Sequence, residues 1–235
     1  MKRRDFLKLG GILAAAGAVP AASSLLHAGG TDVTNGSIRY GMVIDLTKCD
    51  GCGECASACR TANNAATFPD EKINNHLLRI AHVKPKFPNS LEQAIPLMCM
   101  HCDNAPCVHV CPVKASFVRK DGIVLIDKHR CIGCRYCMIA CPYKARSFVF
   151  KHNEGFTNPN IPKTMHGVVE KCDFCVNRVD HGQMPVCVET CKMKAMSFGN
   201  LNDKDSQVSR LIASGRVHRV REDLHLGAKV YYLGL

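Results

Sequence analysis

The sequence has no tryptophan, and aromatic residues make up only 6% of its 235 residues. Proteins that bind single-stranded nucleic acid stack bases on aromatic side chains, so this scarcity argues against a nucleic-acid partner. Long apolar runs are also missing. An apolar stretch from Leu9 to Val19 falls well short of the roughly 20 residues that a helix needs to cross a bilayer. The sequence therefore predicts no membrane-spanning segment.

Catalytic signatures are missing as well. No nucleophile–base pair, nucleotide-binding loop or pterin motif is visible, which predicts a non-catalytic role. No Cys-x-x-Cys pair is followed by histidine, which argues against covalently attached haem. What the sequence does have is cysteine, 16 residues in all.

The densest cysteine stretch runs from Cys131 to Pro142 and reads C-x2-C-x2-C-x3-C-P. This is the bacterial ferredoxin run, whose thiolates hold [4Fe–4S] clusters. Three thiolates two residues apart can wrap one cubane, and Gly133 lets the intervening amides point at its sulfurs. The fourth cysteine, Cys141, ligates the other cluster in two-cluster ferredoxins. A partner site is therefore expected elsewhere in the chain.

Four cysteine sets of four account for all 16 cysteines, which matches four cubanes with none left over. Set one repeats the dense spacing, set two reads C-x2-C-x4-C-x3-C-P, and set four reads C-x2-C-x11-C-x3-C. In chain order, the sets are Cys49, Cys52, Cys55 and Cys59; Cys99, Cys102, Cys107 and Cys111; Cys131, Cys134, Cys137 and Cys141; and Cys172, Cys175, Cys187 and Cys191.

Two other uses of cysteine fit this pattern less well. A disulfide scaffold predicts a short secreted chain with cysteines at loop spacing, whereas these form close C-x2-C pairs. Zinc also uses C-x2-C pairs, but its sites need four ligands in two pairs, and the dense runs put three too close together. His101 lies inside set two, and with four cysteines available it is expected beside a cluster rather than as a ligand.

Residues 1–28 are predicted to be a twin-arginine signal peptide. Arg3 and Arg4 are followed by Phe-Leu-Lys, then by the short apolar stretch and by Leu26-His27-Ala28 as a cleavage site. The alternative is a basic amphipathic N-terminus. Export by this route would place the protein on the periplasmic side of the cytoplasmic membrane, already folded around its clusters.

Two internal repeats indicate an α+β fold of two nested ferredoxin-like units, each binding two [4Fe–4S] clusters. Strand-like segments, 41–46 and 122–127, precede sets one and three, and Asp45 and Asp127 each stand four residues before a cysteine. Sets two and four end in similar sequences. We expect an outer unit from residues 38–60 plus 165–200, an inner unit at 95–150, loop-rich insertions, a short helix over 203–213 and a C-terminal docking tail at 201–235.

The formal charge of +11 looks suited to a polyanion, but the cofactors change it. The leader holds +3, which leaves +8 for the rest of the chain. Four oxidised clusters with their thiolates add about −8. We expect the cations that lie close in sequence to cysteines to compensate this charge: Lys48, Arg60, Lys114, Arg130, Arg135, Lys144, Lys192 and Lys194.

The order of the sets, the Cys-Pro after sets two and three and the twin-arginine leader resemble a known family. These are the four-cluster ferredoxin-like iron–sulfur subunits of membrane-linked respiratory oxidoreductases, of the polysulfide, tetrathionate and nitrite reductase type. The segments 131–143, 167–172 and 230–235 resemble most closely the DsrO-type subunits of DsrMKJOP complexes of sulfur metabolism. The resemblance covers roughly residues 38–235, with Arg60 and Lys192 standing where the family's spacing has proline.

The resemblance implies a cross-paired ligand scheme. One cluster takes Cys49, Cys52, Cys55 and Cys191, and its neighbour takes Cys172, Cys175, Cys187 and Cys59. The third takes Cys99, Cys102, Cys107 and Cys141, and the fourth takes Cys131, Cys134, Cys137 and Cys111.

The function expected from this resemblance is electron transfer, within an oxidoreductase complex, between a catalytic or multihaem cytochrome subunit and an integral membrane subunit that interacts with quinone. The setting would be anaerobic respiration of the sulfur type, with the chain peripheral at the membrane. The alternatives are a free soluble polyferredoxin and a zinc-stabilised interaction protein. Residues 217–235 alternate apolar and basic residues, which fits either a docking segment or an edge strand of the chain's own domain.

Overall fold

Short strands and short helices alternate along the chain, as expected for an α+β protein built around cysteine loops. The computed structural model describes residues 38–84, 92–151, 158–161 and 165–235, and the predicted leader lies outside these ranges. The strands are β1 (Tyr40–Asp45), β2 (Leu78–Val83), β3 (Gln93–Met98), β4 (Ser116–Val118), β5 (Val124–Ile126), β6 (Ser147–Phe148), β7 (Val169–Glu170), β8 (Met196–Asn200), β9 (Val217–His218) and β10 (Val230–Leu233).

The helices are mostly a single turn, and four of the six contain cysteines. They are α1 (Glu54–Ala62), α2 (Pro106–His109), α3 (Tyr136–Ile139), α4 (Val176–Val179), α5 (Val186–Thr190) and α6 (Gln207–Ala213), with 3₁₀ turns at Glu71–Ile73 and Glu222–Leu224. Helix α6 is the helix expected over 203–213. It begins later because the Ser206 hydroxyl caps it, accepting a hydrogen bond of 3.2 Å from the Ser209 amide.

The largest sheet has the strand order β8-β1-β10-β9. Strand β1 pairs antiparallel with β8, Met42 opposite Phe198, and parallel with β10, Met42 opposite Val230. The segment predicted to lead into set one is therefore a strand, and it pairs with the segment that follows set four. Val43, Val208 and Tyr231 pack together where α6 covers one face of this sheet.

Three two-stranded antiparallel sheets complete the described fold: β2 with β3, β4 with β5, and β6 with β7. Strand β4 follows set two, and β5, within the predicted segment 122–127, precedes set three. The long insert between sets one and two, whose role is not legible in the sequence, supplies β2 and β3. All described residues belong to one compact unit of the chain.

The C-terminal segment is part of the folded core. Strand β10 lies between β1 and β9, with Val230 and Tyr232 fully buried and the Tyr232 hydroxyl donating to the Pro96 carbonyl at 2.8 Å. This matches the self-packing alternative for residues 217–235, with one correction. Strand β10 is internal to the sheet, and β9 forms one of its two edges. The sequence did not predict the internal position, because a local pattern does not show the parallel pairing of β10 with β1. No helix in the described ranges has the length and apolar character to span a bilayer.

Candidate metal centre

Each of the four cysteine sets opens with the same backbone turn. The second residue after the first cysteine has a positive φ in every set: 76° at Gly51, 45° at His101, 69° at Gly133 and 57° at Phe174. This left-handed conformation reverses the chain between two cysteines, so both thiols can face the same side. Glycine adopts it without strain, whereas His101 and Phe174 must be held there by their surroundings.

Gly133 is required for a second reason. A Cβ atom at this position would lie 2.2 Å from the Gly167 carbonyl oxygen. The backbone of set three therefore passes directly against the loop that precedes β7. This closeness gives Gly133 a packing role in addition to the expected conformational one.

Asp45 and Asp127 have the same local role, as their matching positions predict. The Asp45 carbonyl accepts from the Cys49 amide at 3.2 Å, and the Asp127 carbonyl accepts from the Cys131 amide at 3.1 Å. Their carboxylates accept from nearby amides, that of Thr47 at 3.0 Å and that of His129 at 3.0 Å. Each aspartate thus fixes the turn that carries the chain from a strand into a cysteine loop.

Sets two and four end in matching turns that aim a backbone amide at the last cysteine. The Ala115 amide donates to the Cys111 sulfur at 3.2 Å, and the Ala195 amide donates to the Cys191 sulfur at 3.3 Å. The lysine before each alanine has a positive φ, 53° at Lys114 and 49° at Lys194. Amide donors of this kind favour the thiolate over the thiol, which is the form that binds iron.

The thiols gather into four groups, and each group mixes two sets. In group one, the pKa of Cys55 is raised to about 11, first by burial and then by the neighbouring Cys49, Cys191 and Cys52 thiols. Three of these cysteines come from set one, and Cys191 comes from set four. Group one is therefore Cys49, Cys52, Cys55 and Cys191.

Group two consists of Cys59, Cys172, Cys175 and Cys187, all four of them buried. Burial holds the pKa of Cys172 well above its ordinary value, and the neighbouring Cys59, Cys187 and Cys175 act in the same direction. The Asn63 amide lies 3.6 Å from the Cys59 sulfur and 3.9 Å from the Cys175 sulfur, and so connects two members of the group.

Group three consists of Cys99, Cys102, Cys107 and Cys141. Burial raises the pKa of Cys102 to about 12, and the nearby thiols of Cys99, Cys107 and Cys141 contribute in the same direction. Three of the cysteines come from set two and Cys141 from set three. Tyr143, buried two residues after Cys141, also has its pKa raised, first by burial and then by Cys102.

Group four consists of Cys111, Cys131, Cys134 and Cys137, which line one cavity together with the Ser116 and Arg135 side chains. Burial raises the pKa of Cys137, the Arg146 guanidinium opposes that shift, and Cys131 and Cys111 add to it. Arg135 is held in place by its stacking on Phe148, 3.9 Å from the ring centre.

The cysteines of these groups are free thiols rather than disulfides. Within the described ranges, no three His, Cys, Asp or Glu side chains converge as ligands of a single metal ion would. A [4Fe–4S] cubane is a larger ligand, held by four thiolates spread around it. Four groups of four thiols, with amide donors to sulfur, fit that ligand. When bound, such a cluster supplies a site that accepts and releases one electron.

The cations near the groups are only partly those expected from sequence. Lys48, Arg130 and Lys192 are engaged at the surface by carboxylates: Lys192 with Glu54 at 2.7 Å, Arg130 with Asp127 at 3.3 Å and Lys48 with Asp45 at 3.4 Å. Among the described residues, the buried cations are three others, Arg146, Lys171 and Lys229. Two of them lie close to a cysteine in the sequence: Lys171 directly precedes Cys172, and Arg146 follows Cys141 by five residues.

His101 is fully buried and stacks on Phe174, with ring centres 3.7 Å apart. Its Nδ1 accepts a hydrogen bond of 3.0 Å from the Val124 amide. Burial and then the Lys171 charge hold the pKa of His101 well below its ordinary value, so the ring stays neutral. Because His101 belongs to set two and Phe174 to set four, the stacked pair joins groups three and two.

Comparison with known proteins identifies the class to which this site belongs. Two models of a 4Fe–4S dicluster domain match the chain, one over residues 48–115 and the other over residues 92–201. Together they span all four cysteine sets.

Three individual relatives agree. The chain is 41% identical to the Hdr-like menaquinol oxidoreductase iron–sulfur subunit 1 of Archaeoglobus fulgidus, over 100% of this chain and 98% of that protein. It is 37% identical to protein NrfC of Escherichia coli, over 97% and 93% of the two chains. It is also 37% identical to a tetrathionate reductase subunit of Salmonella typhimurium, over 84% and 73%.

The chain therefore belongs to the family of ferredoxin-like iron–sulfur subunits of oxidoreductases, built from 4Fe–4S dicluster domains. This confirms the resemblance drawn from the cysteine spacing. Its role is that of an electron-transfer subunit.

Proposed function

We propose that the chain carries electrons through four [4Fe–4S] clusters, one held by each of the four cysteine groups. The observation that carries this proposal is the composition of the groups, each of which has three thiols from one set and one from another. That exchange of the last cysteine is what paired ferredoxin clusters require. The sixteen cysteines are the iron ligands, and no residue of the chain acts as a catalyst.

The four clusters belong to two nested ferredoxin-like units. The pairing of β1 with β8 supports an outer unit, because these strands flank sets one and four. The pairing of β4 with β5 supports an inner unit, because these strands connect sets two and three. In this arrangement groups one and two belong to the outer unit, and groups three and four to the inner unit.

The partners proposed are an integral membrane subunit that exchanges electrons with quinone and a catalytic or multihaem cytochrome subunit. The name of the Archaeoglobus relative, a menaquinol oxidoreductase subunit, supports the first. The tetrathionate reductase relative supports a setting of sulfur-type anaerobic respiration. The chain itself is peripheral at the membrane.

The proposed location is the periplasmic side of the cytoplasmic membrane, reached through the twin-arginine leader at Arg3 and Arg4. A variant with both arginines changed to lysine should accumulate in the cytoplasm with its clusters loaded. Normal export of that variant would contradict the proposed route.

Isolation of the chain from native membranes tests the function. A tagged chain should co-purify with an integral membrane protein, and menaquinol added to that complex should reduce its clusters. The second candidate function, a diffusible polyferredoxin, predicts that the chain is recovered alone from the soluble fraction and that menaquinol does not reduce it.

A further inference from the structure

The fourth cysteine of set one lies within a helix, unlike the fourth cysteines of sets two and four. Helix α1 contains Cys59, whereas α2 and α5 end before the last cysteine of their sets. In sets two and four, the backbone amide four residues after that cysteine donates to its sulfur. In set one this amide belongs to Asn63, and it donates to the Cys59 carbonyl at 3.2 Å as in a continuing helix. The backbone donor that serves sulfur in sets two and four is therefore engaged by a carbonyl in set one.

The Asn63 side chain brings a second amide to the same place. Its Nδ2 lies 2.9 Å from the Cys59 carbonyl oxygen, 3.6 Å from the Cys59 sulfur and 3.9 Å from the Cys175 sulfur. The contact with the carbonyl fixes the orientation of the amide, because only its nitrogen can donate. That nitrogen carries two hydrogens, one for the carbonyl and the other for the two sulfurs. One side chain thus contacts two thiols of group two, from set one and from set four.

Group two is the most enclosed of the four groups. All four of its cysteines are buried, whereas each of the other groups includes a cysteine that is at least partly exposed. Burial disfavours added charge, so water contributes little to stabilising an electron placed there. Hydrogen bonds to the cysteine sulfurs are among the factors that set the potential of an iron–sulfur cluster. Because hydrogen bonds are electrostatically stronger away from water, a donor from the protein has more effect here than at an exposed thiol.

We propose that the Asn63 side chain raises the reduction potential of the cluster in group two by donating to the Cys59 and Cys175 sulfurs. This rests on the proposed function, because the two acceptors are ligands of that cluster. Reduction adds one electron and no proton, which changes the charge of the oxidised cluster and its thiolates from about −2 to about −3. An N–H donor binds the more negative state more strongly, so it favours the reduced form.

The test uses the full-length, cluster-loaded protein in a potentiometric titration with dithionite as reductant, followed by electron paramagnetic resonance. The signal of group two is assigned with Cys172→Ser. Asn63→Leu keeps the approximate size of the side chain and removes its donors. It should lower the midpoint potential of group two and leave the other three unchanged, because both sulfurs that the amide contacts belong to group two.

The matched control is Asn177→Leu, the same change beside the same group. Asn177 lies two residues after Cys175 in helix α4 and is exposed. Its backbone carbonyl contacts the His181 ring at 2.6 Å, and its side chain forms no hydrogen bond among the described residues. The control should leave all four potentials in place.

A wild-type chain without clusters would refute the proposed function rather than the role of Asn63. In a loaded chain, Asn63→Leu with an unchanged potential in group two, or with all four potentials shifted alike, would overturn the role of Asn63. If this variant does not load group two, Asn63→Asp decides, since it keeps the shape of the side chain and replaces its donor with an acceptor. A potential lowered in group two alone supports the role, and an unchanged potential overturns it.

The wild-type protein also allows a measurement that needs no variant. With nitrogen-15 in the asparagine side chains, pulsed electron paramagnetic resonance of the reduced cluster in group two should show coupling to one of these nitrogens. The absence of that coupling would overturn the hydrogen bond from Asn63 to sulfur, and with it the proposed role.

Discussion

At the scale of single residues, the neighbours Cys107 and Cys111 belong to different groups. Helix α2 ends between them, and the Ala115 amide then holds the Cys111 sulfur at 3.2 Å on the side of group four. Cys107 stays with Cys99 and Cys102, near the Arg146 guanidinium. The end of helix α2 thus directs two thiols that are only four residues apart in the sequence into different groups.

Replacing Cys111 should damage the cluster of Cys131, Cys134 and Cys137. The expected result for Cys111→Ser is loss or conversion of the group-four magnetic resonance signal, with that of group three retained. Cys107→Ser is the matched variant and should give the opposite result. Loss confined to group three in the Cys111 variant would contradict the exchange of the fourth ligand.

Gly133 should tolerate no side chain. Gly133→Ala places a methyl group 2.2 Å from the Gly167 carbonyl oxygen, whereas a methyl group at Gly53, with a φ of 76°, would have nothing within 4 Å among the described residues. Gly53→Ala should therefore cost about 1–2 kcal/mol for the left-handed conformation alone. Gly133→Ala should cost about 1–3 kcal/mol more because of overpacking. Denaturant titrations that follow the visible absorbance of the clusters measure both, and equal costs would refute the packing role.

Residue types and spacing made the cysteines predictable, since four sets of the right spacing accounted for every one. The aspartates before sets one and three were also predictable, because they repeat in register. The sequence did not show that His101 and Phe174 occupy the same turn position in sets two and four, because their residue types differ from each other and from the glycines of the other two sets. Arg146 was missed because its burial depends on packing, which the spacing from Cys141 does not show.

At the scale of elements, β10 shows how much of the fold depends on long-range pairing. It inserts between β1 and β9, and Lys229 beside it reaches the Gly122 carbonyl at 3.0 Å. The C-terminal strand therefore connects the sheet of sets one and four with the loop between β4 and β5. The alternation of residues predicted a strand here, but it could not predict which strand would be its neighbour.

Deleting residues 217–235 should abolish cluster binding altogether. The deletion removes an internal strand and the buried Val230 and Tyr232 side chains, so β1 loses its parallel partner. The expected result is a protein without stable clusters, measured as iron per chain. Deleting only Leu235, which is 49% exposed, is the matched control and should leave the iron content unchanged. A truncated chain that keeps its clusters but leaves the membrane would instead support a docking tail.

The local elements were predicted with reasonable bounds where a motif accompanied them. Strand β1 coincides with its expected segment to within a residue, β5 lies inside its expected segment and begins two residues later, and α6 begins after its Ser206 cap. The strands β2 and β3 were not predicted, because the insert that forms them contains no recognisable sequence motif. Its position against the rest of the fold follows from contacts that appear only when the chain is folded.

At the scale of the whole molecule, the metal-free and cluster-loaded chains should respond differently to pH. Burial raises the pKa of Cys55 to about 11 and that of Cys102 to about 12, which favours neutral thiols in the metal-free fold. This stabilisation is fully present below the ordinary thiol pKa of about 8.5 and is lost as the pH rises through the folded values.

The free energy of unfolding of the metal-free chain should therefore fall between about pH 8 and about pH 12. Urea titrations across that range measure it. The loaded chain, whose thiolates are bound to iron, should lack this dependence because its cysteines no longer take up protons. A metal-free chain whose stability is constant over the same range would contradict the burial of its thiols as neutral groups.

Iron and acid-labile sulfide, counted per chain, test the central claim most directly. Four groups of four thiols predict about 16 iron atoms and about 16 sulfides, because each cubane contains four of each. The purified protein should contain both iron and sulfide in these amounts, and a treatment that removes the iron should also remove the sulfide. About four zinc ions without sulfide would contradict the account, because zinc sites hold one metal ion per four thiolates.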